Sequence, residues 1–282
     1  MVFDVKGLDK NKCFEKAEKN VRKLLEINPH SEFSLESRST YINTYFLSTF
    51  WYYAMFISPT DELIQLSNKA IIRFLWYPSR MPKMKGVIIK NSKQFGGVGA
   101  PDISPKISAL RVMFLAKISA YSNLKCFDYF IQRYQSIKNV RNTNNLFVYP
   151  EFYRELLNTE RNIGPKIDND GFVVLGEKIP SLKISTKIVY DMICNRHSSR
   201  YINNIQNMWR AELANQNFQL SPFWANNFPK WTDSISKDIH YLFIYNALVT
   251  RHRISKWEKN LSEFCKFCQK NGKNEKETNL HA

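Results

Sequence analysis

Cys265-Lys266-Phe267-Cys268 sets two thiols on either side of two residues, and His281 follows thirteen positions later. Cysteines at that spacing form a hairpin corner that offers two thiolates to one zinc ion, with histidine a common third ligand. A structural zinc site takes four ligands, so Cys265, Cys268 and His281 form an incomplete set. The chain stops at Ala282, and a cysteine soon after the histidine would complete the site. His252 and Cys194 are alternative donors, with spacing favouring neither.

A second chemistry is cationic. Trp76 and Tyr77 precede Arg80, Lys83, Lys85, Lys90 and Lys93, and Gly96-Gly97-Val98-Gly99 follows. Lysine and arginine neutralise phosphates, aromatic rings stack on unpaired bases, and glycine turns expose backbone amides to anions. The spacing therefore predicts nucleic-acid contact through these cations and through Gly96, Gly97 and Gly99. From Arg73 to Lys138, twelve Lys and Arg face only Asp102 and Asp128. The whole chain carries 41 Lys and Arg against 25 Asp and Glu, a formal charge of +16 that favours a polyanionic partner.

Catalytic patterns are missing from the sequence. It has no Asp-Asp pair, no G-x-S-x-G and no phosphate loop, and His30, His197 and His240 have no triad partner in the sequence. Asp168-Asn169-Asp170-Gly171 lacks the later oxygen ligands of a calcium loop and reads as a turn. Five cysteines without a framework, and an N-terminus without an apolar signal segment, predict a reduced, intracellular protein. Ser39 to Thr60 runs 22 residues without charge, long enough to span a membrane. Asn43, Thr44, Ser48 and Thr49 lie inside it, so it reads as a buried helix and no membrane partner is expected.

The elements that must position these residues are mainly helices. Phe14, Ala17, Val21, Leu24 and Leu25 share one face of a helix over 11–28. A nearly all-apolar helix is predicted over about 34–57, and Pro59-Thr60-Asp61-Glu62 opens a third with Leu63, Leu66, Ala70, Ile71 and Phe74 inward. Val87-Ile88-Ile89 reads as a short β-like run, and Ser104-Pro105 opens another helix. Further helical patterns fall near 150–158, 186–195, 199–215 and 233–250. The predicted fold is mainly α: a three-helix bundle over 1–77, and a basic linker with the glycine turn and a helix over 78–138. A helical region over 139–232 and an incomplete zinc-binding segment over 233–282 complete it.

Several of these stretches fall in one order. Arg38, then Tyr41-Ile42-Asn43-Thr44-Tyr45-Phe46-Leu47-Ser48-Thr49-Phe50-Trp51-Tyr52, then Phe74-Leu75-Trp76, Gly96-Gly97-Val98-Gly99-Ala100-Pro101-Asp102 and Ala109-Leu110-Arg111. The series resembles the region downstream of the polymerase palm in LINE-type (non-LTR) retrotransposon reverse transcriptases. Leu248 to Ile254 with Cys265, Cys268, Glu277-Thr278 and His281 resembles the zinc-binding segment of the same family. The resemblance covers roughly 1–125 and 235–282, and the middle only weakly, through Ser185 to Tyr190.

That resemblance implies a helical thumb, a linker and a zinc knuckle that grip template RNA and target DNA during target-primed reverse transcription. It adds Arg38, Arg73 and Arg111 to the expected contacts, and a ribonucleoprotein of cytoplasm and nucleus. The palm and its magnesium-binding aspartates lie outside this chain, so a non-catalytic fragment is expected. The alternative is a domesticated or degenerate copy acting as a structural or protein-interaction module.

Overall fold

Phe14, Ala17, Val21 and Leu24 recur at helical spacing and are buried, so helix α1 (Lys10–Glu26) lays one apolar stripe inward. The computed structural model describes residues 10–29, 32–79, 83–91, 96–120, 125–138, 151–163, 166–168, 171–180, 184–214, 217, 219, 233–245, 247–248, 250–256 and 261–278. The chain is mainly helical. Next come α2 (Leu35–Tyr41), a π-helical turn (Ile42–Phe46), α3 (Ser48–Ala54), α4 (Asp61–Trp76), α5 (Gly86–Ile89), α6 (Ile103–Ala120), α7 (Lys125–Lys138) and α8 (Glu151–Ile163). After a three-stranded sheet follow α9 (Thr186–Glu212), α10 (Ser234–Ile244), α11 (Arg251–Ser255) and α12 (Lys266–Lys270).

The predicted long second helix is not continuous. Ser34 caps α2 by accepting the Ser37 amide, and the backbone then widens until Leu47 N–H reaches the Ile42 carbonyl, five residues back, at 3.1 Å. Such single π turns are rare and recur at functional sites. α4 starts where the sequence predicts: the Thr60 hydroxyl accepts the Leu63 amide, and Asp61 and Glu62 complement the positive helix end. α1 packs on α3 and α4.

Val87-Ile88-Ile89 forms the short helix α5 instead of a β-like run. Ile88 and Ile89 are buried in the main core, and that packing outweighs the β preference of branched residues. The patterns at 186–195 and 199–215 join into the single helix α9.

The strands β1 (Lys166–Asp168), β2 (Gly171–Val174) and β3 (Glu177–Pro180) form an antiparallel meander, with Asp168 opposite Gly171 and Val174 opposite Glu177. Leu175 and Gly176, at φ 54° and 87°, make the second hairpin turn, as the right-handed twist of paired strands favours. Val174 and Ile179 pack with Val112, Ile163 and Val189 in one core. A second, aromatic core gathers Phe152, Tyr134 and Ile137 around Leu156.

The main core joins the first four helices to α5, the start of α6, Trp209 of α9 and Leu242 to Ala247. Residues from all four expected segments thus share one interior. No described helix is long and apolar enough to cross a membrane.

Candidate nucleic-acid interface

The glycine turn is a tie-point. Gly96 and Gly99 sit at φ 77° and 71°, where side chains are strained. The Gly96 carbonyl accepts hydrogen bonds from the Tyr241 hydroxyl at 3.0 Å and from the Tyr245 hydroxyl, both from the α10 end. The Ser39 hydroxyl of α2 donates to the Gly99 carbonyl at 2.5 Å. Asn91 Nδ2 donates to the Ser198 hydroxyl of α9 at 2.5 Å. The turn's amides face inward: Val98 and Ala100 donate to the Ile89 carbonyl, and Gly99 to the Asn91 carbonyl at 2.7 Å. These three amides close the turn on α5, so they are occupied and do not point at a ligand.

A pocket of about 320 Å³ opens beside this turn. Asn43 and Thr44 of the π turn, Trp51 of α3, Gly99, Pro101, Lys106 of α6 and Tyr190 of α9 line it. Tyr190 is locked in place: its hydroxyl accepts the Asp102 amide at 2.9 Å and lies 3.2 Å from the Ala100 carbonyl, to which it donates. Burial, above all, holds the Tyr190 phenol well above its ordinary pKa, so it stays protonated. Lys106 Nζ stands 5.4 Å from the centre of that ring. Burial pulls the Lys106 pKa down, opposed by the Asp191 and Cys194 charges. Its ammonium makes no salt bridge among the described residues. Beyond the field of Asp191, a half-buried cation in the first turns of a helix whose dipole repels it gains from a further anion entering the pocket.

The other cations separate into three groups. Arg38 is buried, and its guanidinium donates to the carbonyls of Phe33 at 3.0 Å, Leu75 at 2.9 Å and Tyr77 at 2.7 Å, capping the end of α4. Arg111 is buried too, bonded to Glu155 at 2.7 Å and to the Ser58 hydroxyl at 2.8 Å. Lys90 pairs with Asp102 at 3.0 Å. These three hold the protein together. Arg73 and Lys85 are exposed, and Lys85 Nζ lies 4.2 Å over the Tyr201 ring. Lys83 lines a second pocket. Arg80 and Lys93 fall outside the described residues. Arg38→Ala strips three carbonyls of their donor, so a loss of about 2 kcal/mol is expected in thermal melts.

The second pocket, about 260 Å³, holds Arg38, Trp76, Lys83 and Asp238. Asp238 accepts the Leu35 amide at 3.0 Å, tying α10 to the start of α2. Burial pushes its carboxyl from 3.8 up to about 6, against the pull of that amide, Arg38 and Lys83. The native state therefore keeps a proton that the unfolded chain releases. Stability present below pH 4 falls as pH rises through 6, by about 2 kcal/mol. Asp238→Asn should flatten that part of the curve when urea midpoints are compared at pH 4 and pH 7.

At the C-terminal end, Cys265 precedes α12 and Cys268 lies within it. The Cys265 amide donates to the Glu275 carbonyl, and the Lys273 amide to the Cys268 carbonyl, closing a small loop at Gly272. Both cysteines thus sit at one short helix and the loop that follows it. Among the described residues, however, no three His, Cys, Asp or Glu side chains group to hold a metal. His281 lies outside the described residues, and His252 is engaged with Glu263 at 2.9 Å.

No family model, curated protein or solved structure matches the chain.

Sequence reasoning missed Lys106 and Tyr190. One signal was available: a lysine four residues after Asp102, at the start of a predicted helix, opposes the helix dipole and asks for an anion.

Proposed function

We propose that this chain is a non-catalytic nucleic-acid-binding region, akin to the thumb, linker and zinc-knuckle part of a retrotransposon RNA-directed DNA polymerase. It holds RNA or DNA by the sugar-phosphate backbone during target-primed reverse transcription. One observation carries the reading: residues from three separated stretches, Asn43 to Trp51, Gly99 to Lys106 and Tyr190, line one pocket whose ammonium makes no salt bridge among the described residues. The charge of +16 supports it, since phosphate neutralisation dominates nucleic-acid affinity.

In this reading Lys106 takes a phosphate inside the pocket, and exposed Arg73 and Lys85 add sequence-independent contacts. Asn43 and Thr44 offer hydrogen bonds to phosphate or sugar oxygens. Zinc, where a complete ligand set exists, would be held by Cys265 and Cys268 and would fix the knuckle's shape. The rival reading, a protein-interaction module, draws on Phe33, Ile235 and Ile239, which are exposed around the second pocket.

Photocrosslinking to thiouridine-substituted RNA followed by peptide mapping separates the two. Crosslinks within 41–55 and 96–106 are expected. Crosslinks confined to 233–282, or none at all, overturn the assignment of the pocket.

A further inference from the structure

We infer that the strand held at this pocket is unpaired, and that its bases stack on Tyr45 and Tyr52. The inference rests on the backbone-binding reading and adds the class of strand. Tyr45 is 64% exposed and Tyr52 67%, the two most exposed tyrosines in the first bundle. Each directly follows a pocket residue, Thr44 and Trp51 respectively. They stand seven residues apart, Tyr45 in the π-helical turn and Tyr52 in α3.

Both rings have aromatic backing. The Tyr45 ring centre lies 4.7 Å from Tyr41, whose ring stacks on buried Phe74 at 5.8 Å and 12°. Tyr52 meets Tyr53 edge-on at 5.2 Å, and Tyr53 in turn meets buried Phe14 at 6.0 Å. Platforms held this way lose little freedom when a base arrives. Neither hydroxyl makes a hydrogen bond among the described residues, so neither ring is fixed by a polar role within the fold. Charge selects the occupant. A phosphodiester strand supplies an anion to Lys106, which makes no salt bridge among the described residues, and carries a flat base at every step, whereas duplex bases are already stacked on each other.

Anisotropy at one low salt concentration, with three short labelled probes, tests it: single-stranded RNA, an abasic sugar-phosphate strand and a blunt duplex. Single-stranded RNA should bind about tenfold tighter than the abasic strand. Tyr45→Ala and Tyr52→Ala should each erase much of that difference, with abasic binding unchanged, and Tyr45→Phe or Tyr52→Phe should restore it. Unaltered thermal melts show that the variants are folded. Equal affinity for RNA and abasic strand overturns the stacking inference and leaves backbone binding standing. Tighter binding to duplex also overturns it. Failure to bind any probe overturns the backbone reading itself.

Discussion

Gly97→Ala should cost about 4 kcal/mol, above the range of most single substitutions, and lower the melting temperature by roughly 10 °C. The reason is space. A Cβ at Gly97 would lie 1.9 Å from the Asn91 carbonyl oxygen, 2.4 Å from its carbon and 2.7 Å from its Cα. All three atoms are backbone, so no rotamer relieves the clash. The same Asn91 carbonyl accepts the Gly99 amide at 2.7 Å, so displacing it opens the turn. The hydroxyls of Ser39, Tyr241 and Tyr245 then lose their acceptors, and α2, α10 and the pocket wall part together. Gly99→Ala is the control. Its φ of 71° strains a side chain, yet nothing lies within 4 Å, so only about 1–2 kcal/mol is expected. Equal melting temperatures for the two variants would mean that the turn is not packed as described.

The helices with strong apolar periodicity were legible. The pattern at 11–28 corresponds to α1 (Lys10–Glu26), and the Thr60-Asp61-Glu62 start to α4 (Asp61–Trp76). What sequence reasoning lost was decided by tertiary contacts. The patterns at 186–195 and 199–215 leave a gap at 196–198, but α9 runs through it, where Ser198 is buried and accepts a hydrogen bond from Asn91, more than a hundred residues away. The meander was missed because strands of three and four residues are too short to show alternation.

The site was half legible. The glycine turn and Trp51 were in view as sequence, and the structure brings them to one pocket. Arg38 and Arg111 count as cations in any tally of charge, but burial turns them inward to carbonyls and a carboxylate. A charge count is blind to that distinction. The Gly99 amide is turned inward in the same way, to the Asn91 carbonyl.

The electrostatic grip on phosphates proposed for Lys106, Arg73 and Lys85 is read from the loss of affinity in rising salt. Every neutralised phosphate releases condensed counterion, which lowers log K by about 0.7 per decade of salt for a single strand. Four contacts, from Lys106, Arg73, Lys85 and one more cation, give a slope of about −3. Affinity should then fall roughly 60-fold between about 50 and 200 mM salt. Lys106→Gln should weaken binding and reduce the slope by about 0.7, as one lost contact requires. The decisive measurement is the anisotropy titration of wild type and Lys106→Gln over that salt range. The account predicts two straight lines, the variant's shallower. A flat line for the wild type, or identical slopes for both proteins, would contradict it.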